Sequence, residues 1–352
     1  MSRSTRQRID SNGIRINVTT DGPSDGPPVL LIHGFPETSY EWRNQVPALV
    51  DAGYRVIIPD TRGYGDSDKP PGPVSRHTLA ADMVGVLDHF DIDEVALVGH
   101  DWGGIIGFKV VIDWPERISS VALMDTLCSV WTPAAVHGFW FKARALPELF
   151  YAEYHAQFIE TIFTGGSDPE LPGWPYSPWS VSGRRLTPNR WATDEDVEVY
   201  KQAFSDPDSH AAAISYYRHA LPFHRMHADE NVAGGYRCER LTSAQVGEVW
   251  RQGLNDHPWG REFMEYGPED RHKRFEKPAL WMYGNARLAP DSPPSRETPS
   301  GNPFFDQFPM YFPDLTAVGV PGAGHFFPEE APDFTNQTLL EFLAGAGERP
   351  SP

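Results

Sequence analysis

At 352 residues, 40% of them hydrophobic, the chain can bury a sizeable core, either as one large domain with an insertion or as two modest domains. Its formal net charge of -18 argues against a grip on nucleic-acid phosphates or anionic membranes. Its two cysteines, Cys128 and Cys238, supply no disulfide framework or metal-ligand spacing, and the basic N-terminus leads into polar residues rather than a signal core, so a cytoplasmic protein without a membrane span is expected.

From about residue 14 to 125, short β-branched runs alternate with amphipathic segments, the pattern of parallel strands joined by helices. The strands are expected at Val29-Leu30-Leu31-Ile32, Arg55-Val56-Ile57-Ile58, Val95-Ala96-Leu97-Val98 and Val121-Ala122-Leu123-Met124. Near-continuous apolar runs of this kind suit strands covered on both faces. Helices are expected around 41–52, 77–90 and 103–113, where Ile106, Val110 and Val111 share a face. The pattern predicts a doubly wound, mostly parallel α/β sheet whose first part is residues 1–125. From 126 to 277 tryptophans, prolines, histidines and tyrosines crowd together and strand-like runs vanish, which reads as a helical lid inserted into that sheet. Strands resume at Ala279-Leu280-Trp281-Met282-Tyr283 and Leu315-Thr316-Ala317-Val318-Gly319-Val320. With a last helix from about 330 to 344, residues 278–352 complete the core.

Ligands of open parallel sheets gather at the carboxyl ends of the strands. Asp101 stands there, in Val98-Gly99-His100-Asp101-Trp102-Gly103-Gly104. The spacing Gly-x-Asp-x-Gly fits a sharp strand-to-helix elbow whose small flanking residues let the central side chain project into a site. A carboxylate there can attack an electrophilic carbon without first losing a proton. The run His33-Gly34-Phe35-Pro36 follows another strand, and the backbone N–H groups of Phe35 and Trp102 can together hold an oxyanion. His325, in Gly324-His325-Phe326-Phe327, follows the last strand and suits a general base. The imidazole needs an acid partner: Asp125, at the end of the strand 121–124, is preferred over Asp291, which follows the strand 279–283. His219, His224 and His227 match no metal-ligand spacing, and no metal or organic cofactor is expected.

With the turn Asp60-Thr61-Arg62-Gly63-Tyr64-Gly65-Asp66-Ser67, these motifs resemble the epoxide hydrolase branch of the α/β-hydrolase fold superfamily. The resemblance covers about 28–125, the lid tyrosines and 279–343. It implies an α/β-hydrolase fold and conversion of an apolar epoxide and water to a vicinal diol through an aspartyl ester. It also implies two lid residues that donate hydrogen bonds to the epoxide oxygen. Tyr154, in Glu153-Tyr154-His155, looks like the first, with His155 as substitute, and Tyr217, in Ser215-Tyr216-Tyr217-Arg218, looks like the second. Adjacent helical residues point about 100° apart, so Tyr216 and Tyr217 cannot both serve one oxygen. Many family members carry the triad acid where this chain has Arg287, whereas related branches, fluoroacetate dehalogenases among them, carry it where Asp125 stands. The segment 223–275 is longer than the usual lid.

The runner-up is a haloalkane or haloacid dehalogenase, which begins with the same carboxylate attack. Fluoroacetate dehalogenases carry arginines where Trp102 and Ile105 stand, and haloalkane dehalogenases often carry Asn in place of Phe35. A non-catalytic small-molecule binder of this fold would need neither Asp101 nor His325. The lid aromatics Trp131, Phe139, Trp140, Trp174 and Trp179 point to an apolar pocket with most of them serving the core. Oligomeric state is open, a homodimer being one option.

Overall fold

The computed structural model describes residues 4–133, 135–164, 191–229, 231, 236–286, 292–293 and 303–347. Its main sheet opens with a hairpin ahead of the first expected strand, β1 (Thr5–Ser11) and β2 (Ile14–Asp21), paired antiparallel. Asn12 and Gly13 close it at φ 46° and 79°, the left-handed pair that a two-residue hairpin turn favours. There follow β3 (Pro28–Ile32), α1 (Gln45–Asp51), β4 (Arg55–Pro59), α2 (Arg76–His89), β5 (Val95–His100), α3 (Trp102–Asp113) and β6 (Ile118–Met124). The Ser75 hydroxyl caps α2 by accepting the Thr78 N–H at 3.0 Å.

The next stretch holds β7 (Val130–Trp131), α4 (His137–Trp140), α5 (Leu146–Phe163), α6 (Asp194–Ala203) and α7 (Pro207–Ser215), which runs into a π-turn at Tyr216–Ala220. After it come β8 (His224–Ala228), β9 (Tyr236–Arg240), α8 (Ser243–Gln252) and β10 (Met264–Glu265). The chain then returns to the main sheet with β11 (Ala279–Asn285), α9 (Pro303–Tyr311), β12 (Leu315–Pro321), α10 (Phe327–Glu330) and α11 (Pro332–Gly347).

The eight-stranded sheet runs β1-β2-β4-β3-β5-β6-β11-β12. From β4 through β12 every pairing is parallel. Its central strands are buried on both faces: Leu30 and Ile32 join one apolar cluster and Val29 and Leu31 the other. Because β3 connects outward to β4 and the chain then crosses back to β5, the winding reverses between β3 and β5. The crevice at their carboxyl ends is therefore where this architecture binds ligands.

The expectation that strands vanish between 126 and 277 needs correction. A second sheet, in the order β7-β10-β8-β9, lies among the helices of that stretch. Its strands are two to five residues long, and His224-Arg225-Met226-His227 and Tyr236-Arg237-Cys238-Glu239-Arg240 carry almost no apolar alternation. Backbone pairing, with ion pairs such as Arg225 to Glu262 at 2.8 Å, makes these strands where hydropathy does not announce them. Arg287, Asp291, Trp174 and Trp179 lie outside the described residues.

Candidate active site

Asp101 leaves the fully buried β5 at φ 48° and ψ -117° and starts α3 at the next residue. Non-glycine residues in such backbone geometry cost on the order of 1–3 kcal/mol and persist only where their surroundings enforce them. The enforcement here is close packing of glycines. A Cβ at Gly99 would lie 2.3 Å from the Gly103 oxygen, and one at Gly103 would lie 1.9 Å from the Ile32 oxygen. The Thr126 hydroxyl donates to the Asp101 carbonyl at 2.6 Å, tying the elbow to the end of β6.

The turn after β3 reaches across the crevice, and the Phe35 N–H donates to Asp101 Oδ1 at 2.8 Å. Trp102 is the first residue of α3, where the helix offers its N–H no intrahelical acceptor. His33 is spent on scaffold: Nε2 accepts the Thr61 N–H at 2.9 Å, so Nδ1 carries the proton toward the Gly34 oxygen at 2.8 Å. Burial lowers its pKa against nearby carboxylates, which suits a neutral structural imidazole.

His325 stands between two carboxylates. Its Nε2 is 3.5 Å from Asp101 Oδ2, and its Nδ1 is 2.6 Å from Asp125 Oδ2. Asp125 itself sits at φ 38°, with its N–H donated to the Met282 oxygen of β11 at 2.8 Å, so neighbouring strands fix the acid's position. Burial disfavours the imidazolium, but the hydrogen-bonded carboxylates of Asp101 and Asp125 outweigh it and push His325 up to about 10. Reciprocally, Asp101 is held below the usual carboxylate range: burial would raise it, while His325, His100 and the Phe35 N–H lower it.

Beneath this row lies a buried cluster of ionisable groups that sequence reasoning did not identify. His100 Nε2 donates to the His325 carbonyl at 2.9 Å, and His100 Nδ1 faces Glu41 Oε1 at 3.0 Å and Glu37 Oε2 at 3.3 Å. All three side chains are buried. Burial opposes a charge on His100, yet Glu41 pushes it up to about 9. Glu41 also accepts the Gly34 N–H at 2.9 Å, linking the cluster to the turn that holds Asp101. His224 and His227 engage separate partners, the Glu265 carbonyl and the Glu239 carboxylate, and with His219 they gather no metal-ligand group among the described residues.

Tyr217 comes from the π-turn and is 2% exposed. Its ring stacks on Phe141 at 3.9 Å and meets Phe35 and Trp102 edge-on at 5.7 and 5.0 Å. Burial, with the Asp101 carboxylate in electrostatic reach, raises its hydroxyl well above the ordinary tyrosine value. Tyr216, by contrast, donates its hydroxyl to the Arg62 carbonyl at 2.6 Å.

Among the described residues no hydrogen bond or ring contact joins Tyr154, the expected first donor, to Asp101 or Tyr217. Tyr154 is half-buried on α5 and packs its ring on Phe150 at 5.8 Å, while His155 turns Nδ1 back to the Tyr151 carbonyl at 3.1 Å. From the same helix Tyr151 is fully buried, and among the described residues its hydroxyl has no hydrogen-bond partner. It lies within electrostatic reach of the Tyr217 and Tyr64 hydroxyls. Three residues along a helix leave two side chains only about 60° apart on one face, so helical spacing alone does not choose between Tyr151 and Tyr154. The Tyr151 ring packs on Phe158 at 5.3 Å.

Two more residues complete the wall. The buried Tyr64 hydroxyl has no hydrogen-bond partner among the described residues and feels Asp101. His137 sets its ring 5.4 Å from Tyr217, and burial pushes it down to about 3 against the pull of Asp101, so it is neutral. A carboxylate, an imidazole paired to a second carboxylate, and buried phenols around an apolar floor can deliver a nucleophile, a base and proton donors to one small molecule.

A protein-family model described as alpha/beta hydrolase fold matches residues 27–162. The chain is 32% identical to the AB hydrolase superfamily protein YfhM of Bacillus subtilis, over 96% of this chain and 97% of that protein. It is 31% identical to Epoxide hydrolase 1 of Siraitia grosvenorii, over 97% and 99% of the two chains. Epoxide Hydrolase A from Mycobacterium thermoresistibile superposes with a TM-score of 0.66 at 23% identity, over 97% of this chain and 99% of that one, a likeness of fold.

Proposed function

The chain belongs to the epoxide hydrolase branch of the α/β-hydrolase fold superfamily, and from that membership we propose that it hydrolyses a small apolar epoxide to a vicinal diol through an ester on Asp101. The observation that supports this most is a carboxylate on the elbow, with its base 3.5 Å away and the buried Tyr217 and Tyr64 hydroxyls within its electrostatic reach. A breaking carbon–oxygen bond develops an alkoxide, and preorganised donors in a dry site stabilise such charge strongly.

In the first half-reaction an Asp101 oxygen attacks an oxirane carbon, the carbon–oxygen bond to that carbon breaks, and the alkoxide takes a proton from Tyr217 or Tyr151. Ester formation removes the Asp101 charge. His325 then faces one carboxylate instead of two, its proton affinity falls, and the proton it releases restores the tyrosine hydroxyl.

In the second half-reaction neutral His325, held by Asp125 through Nδ1, takes a proton from water at Nε2 as the hydroxide attacks the ester carbonyl. The Phe35 N–H, which already contacts Asp101 Oδ1 at 2.8 Å, and the Trp102 N–H hold the oxyanion. On collapse the ester carbon–oxygen bond to the product breaks, the leaving oxygen takes the proton that came in on the attacking hydroxide, and the diol departs with the Asp101 carboxylate and the His325 imidazolium regenerated.

Residues 1–125 and 278–352 serve in this reading as the catalytic core and 126–277 as the lid that closes over the substrate. No helix of the described residues is long and apolar enough to cross a membrane. With two free cysteines, a reducing cytoplasm is the location we assign.

The test is a substrate panel of styrene oxide, chlorobutane and fluoroacetate. Diol from styrene oxide without halide release from the other two supports the proposal. Halide release with no diol transfers the same Asp101 chemistry to a dehalogenase.

A further inference from the structure

The residues just after α4 grip the π-turn that carries Tyr217. Lys142 Nζ donates to the carbonyl oxygens of Tyr217 at 2.5 Å and Leu221 at 2.6 Å. On either side of it, the carbonyls of Phe141 and Ala143 each accept from Arg218 at 2.7 Å, and the Phe141 ring stacks on Tyr217 at 3.9 Å.

A lysine is an expensive residue for this place. It is 3% exposed, its ammonium lies 4.4 Å from the centre of the Phe223 ring, and its hydrogen bonds go to neutral carbonyls. Burial, with Arg218 nearby adding repulsion, pushes it down to about 7. An apolar side chain of similar volume would avoid that desolvation cost. What lysine adds is a strong donor for carbonyls that the wide π-turn holds away from ordinary helical spacing. The Tyr217 carbonyl is bonded to the Cα that bears the phenol, so fixing that peptide also fixes the direction in which the side chain leaves the backbone.

We infer that Lys142 is a positioning residue for Tyr217, clamping the carbonyls of residues 217 and 221 so that the π-turn presents the Tyr217 hydroxyl to the site around Asp101. The inference rests on the reading of Tyr217 as a proton donor in epoxide opening. Lys142 therefore acts in the half-reaction that uses Tyr217 and leaves ester hydrolysis, which depends on His325 and Asp125, alone.

The experiment is a double-substitution cycle read by rapid quench and mass spectrometry of the Asp101 ester with styrene oxide. Lys142→Met and Lys142→Gln are each made alone and together with Tyr217→Phe. Each Lys142 substitution is expected to slow ester formation on the order of 10- to 100-fold, the scale of a modest misplacement of a reacting group. Ester hydrolysis is expected to stay within about 3-fold of the parent, and in the Tyr217→Phe background the same substitution is expected to slow ester formation by no more than about 3-fold.

Equal losses in both half-reactions, or the same loss in both backgrounds, would overturn the inference and leave Lys142 a general support of the lid. Should Lys142→Met not fold, Lys142→Gln decides alone, because its amide still donates to one carbonyl without burying a charge. If Tyr217→Phe itself leaves ester formation unchanged, the role of Tyr217 falls and the inference with it. If Tyr217→Phe slows ester formation and neither Lys142 variant does, only the inference falls.

Discussion

Replacing Asp125 separates the two half-reactions, and the nature of the replacement sets the size of the effect. The Asp125 carboxylate accepts from His325 Nδ1 at 2.6 Å, so Nε2 is left free to take a proton from water. Asp125→Ala removes a charge-assisted hydrogen bond, worth roughly 1.5–3 kcal/mol, which translates to ester hydrolysis slowed about 10- to 100-fold. Asp125→Asn does more harm. Its amide N–H can donate to Nδ1, which moves the imidazole proton to Nε2 and removes the base, an error worth about 10⁴-fold in a comparable triad. Ester formation needs neither tautomer and should be retained in both variants. Rapid mixing with styrene oxide followed by intact-protein mass spectrometry should show the ester accumulating in both, and persisting longer in Asp125→Asn than in Asp125→Ala. Turnover by Asp125→Asn within a few-fold of the parent would refute the reasoning and turn attention to Asp291.

Other consequences follow from the same geometry. Asp101→Asn should abolish ester formation and bring the His325 imidazole, pushed up to about 10 in the parent, back toward neutrality; an unchanged NMR titration would contradict the proposed coupling. Tyr151→Phe should slow epoxide opening about 100-fold, the usual cost of removing one donor to developing negative charge, whereas Tyr154→Phe should stay within about 2-fold; the reverse order would restore Tyr154. Because His325 titrates higher folded than its ordinary 6.5, its contribution to stability is complete below pH 6.5 and is lost as pH rises through about 10. The difference in melting temperature between the parent and His325→Gln should therefore shrink over that window, and growth with pH would show the sign to be wrong. Gly103→Ala should destabilise the protein by about 1–3 kcal/mol or prevent folding, since its Cβ would fall 1.9 Å from the Ile32 oxygen; an unshifted denaturation midpoint would deny the tight elbow.

What could be read from the sequence follows the strength of local signals. The central strands are apolar on both faces, so Val95-Ala96-Leu97-Val98 and its neighbours stand out, and the residues that end them mark the crevice. The edge strand β1 is mostly exposed and its neighbour β2 is short of a continuous apolar run, and charges such as Arg6, Arg8 and Arg15 interrupt both, so neither stands out by hydropathy. Asp125 was accessible because strand order alone puts it beside Asp101. Nothing in the sequence singles out Tyr151, because aromatics at 150, 151, 154 and 158 crowd one stretch of helix and residues three apart share a face, so only packing selects among them. The Glu37, Glu41 and His100 cluster and the Lys142 clamp depend on contacts between segments distant in sequence, which leave no local pattern.

The central claim is that a carboxylate oxygen of Asp101, not one from solvent, first becomes the new oxygen of the product. A single turnover of excess enzyme on styrene oxide in oxygen-labelled water tests it, with the diol analysed by mass spectrometry. The mechanism predicts an unlabelled first-turnover diol, with label retained in the Asp101 carboxylate and appearing in diol only on later turnovers. Solvent label in the first-turnover diol would mean direct attack by water and would contradict the account.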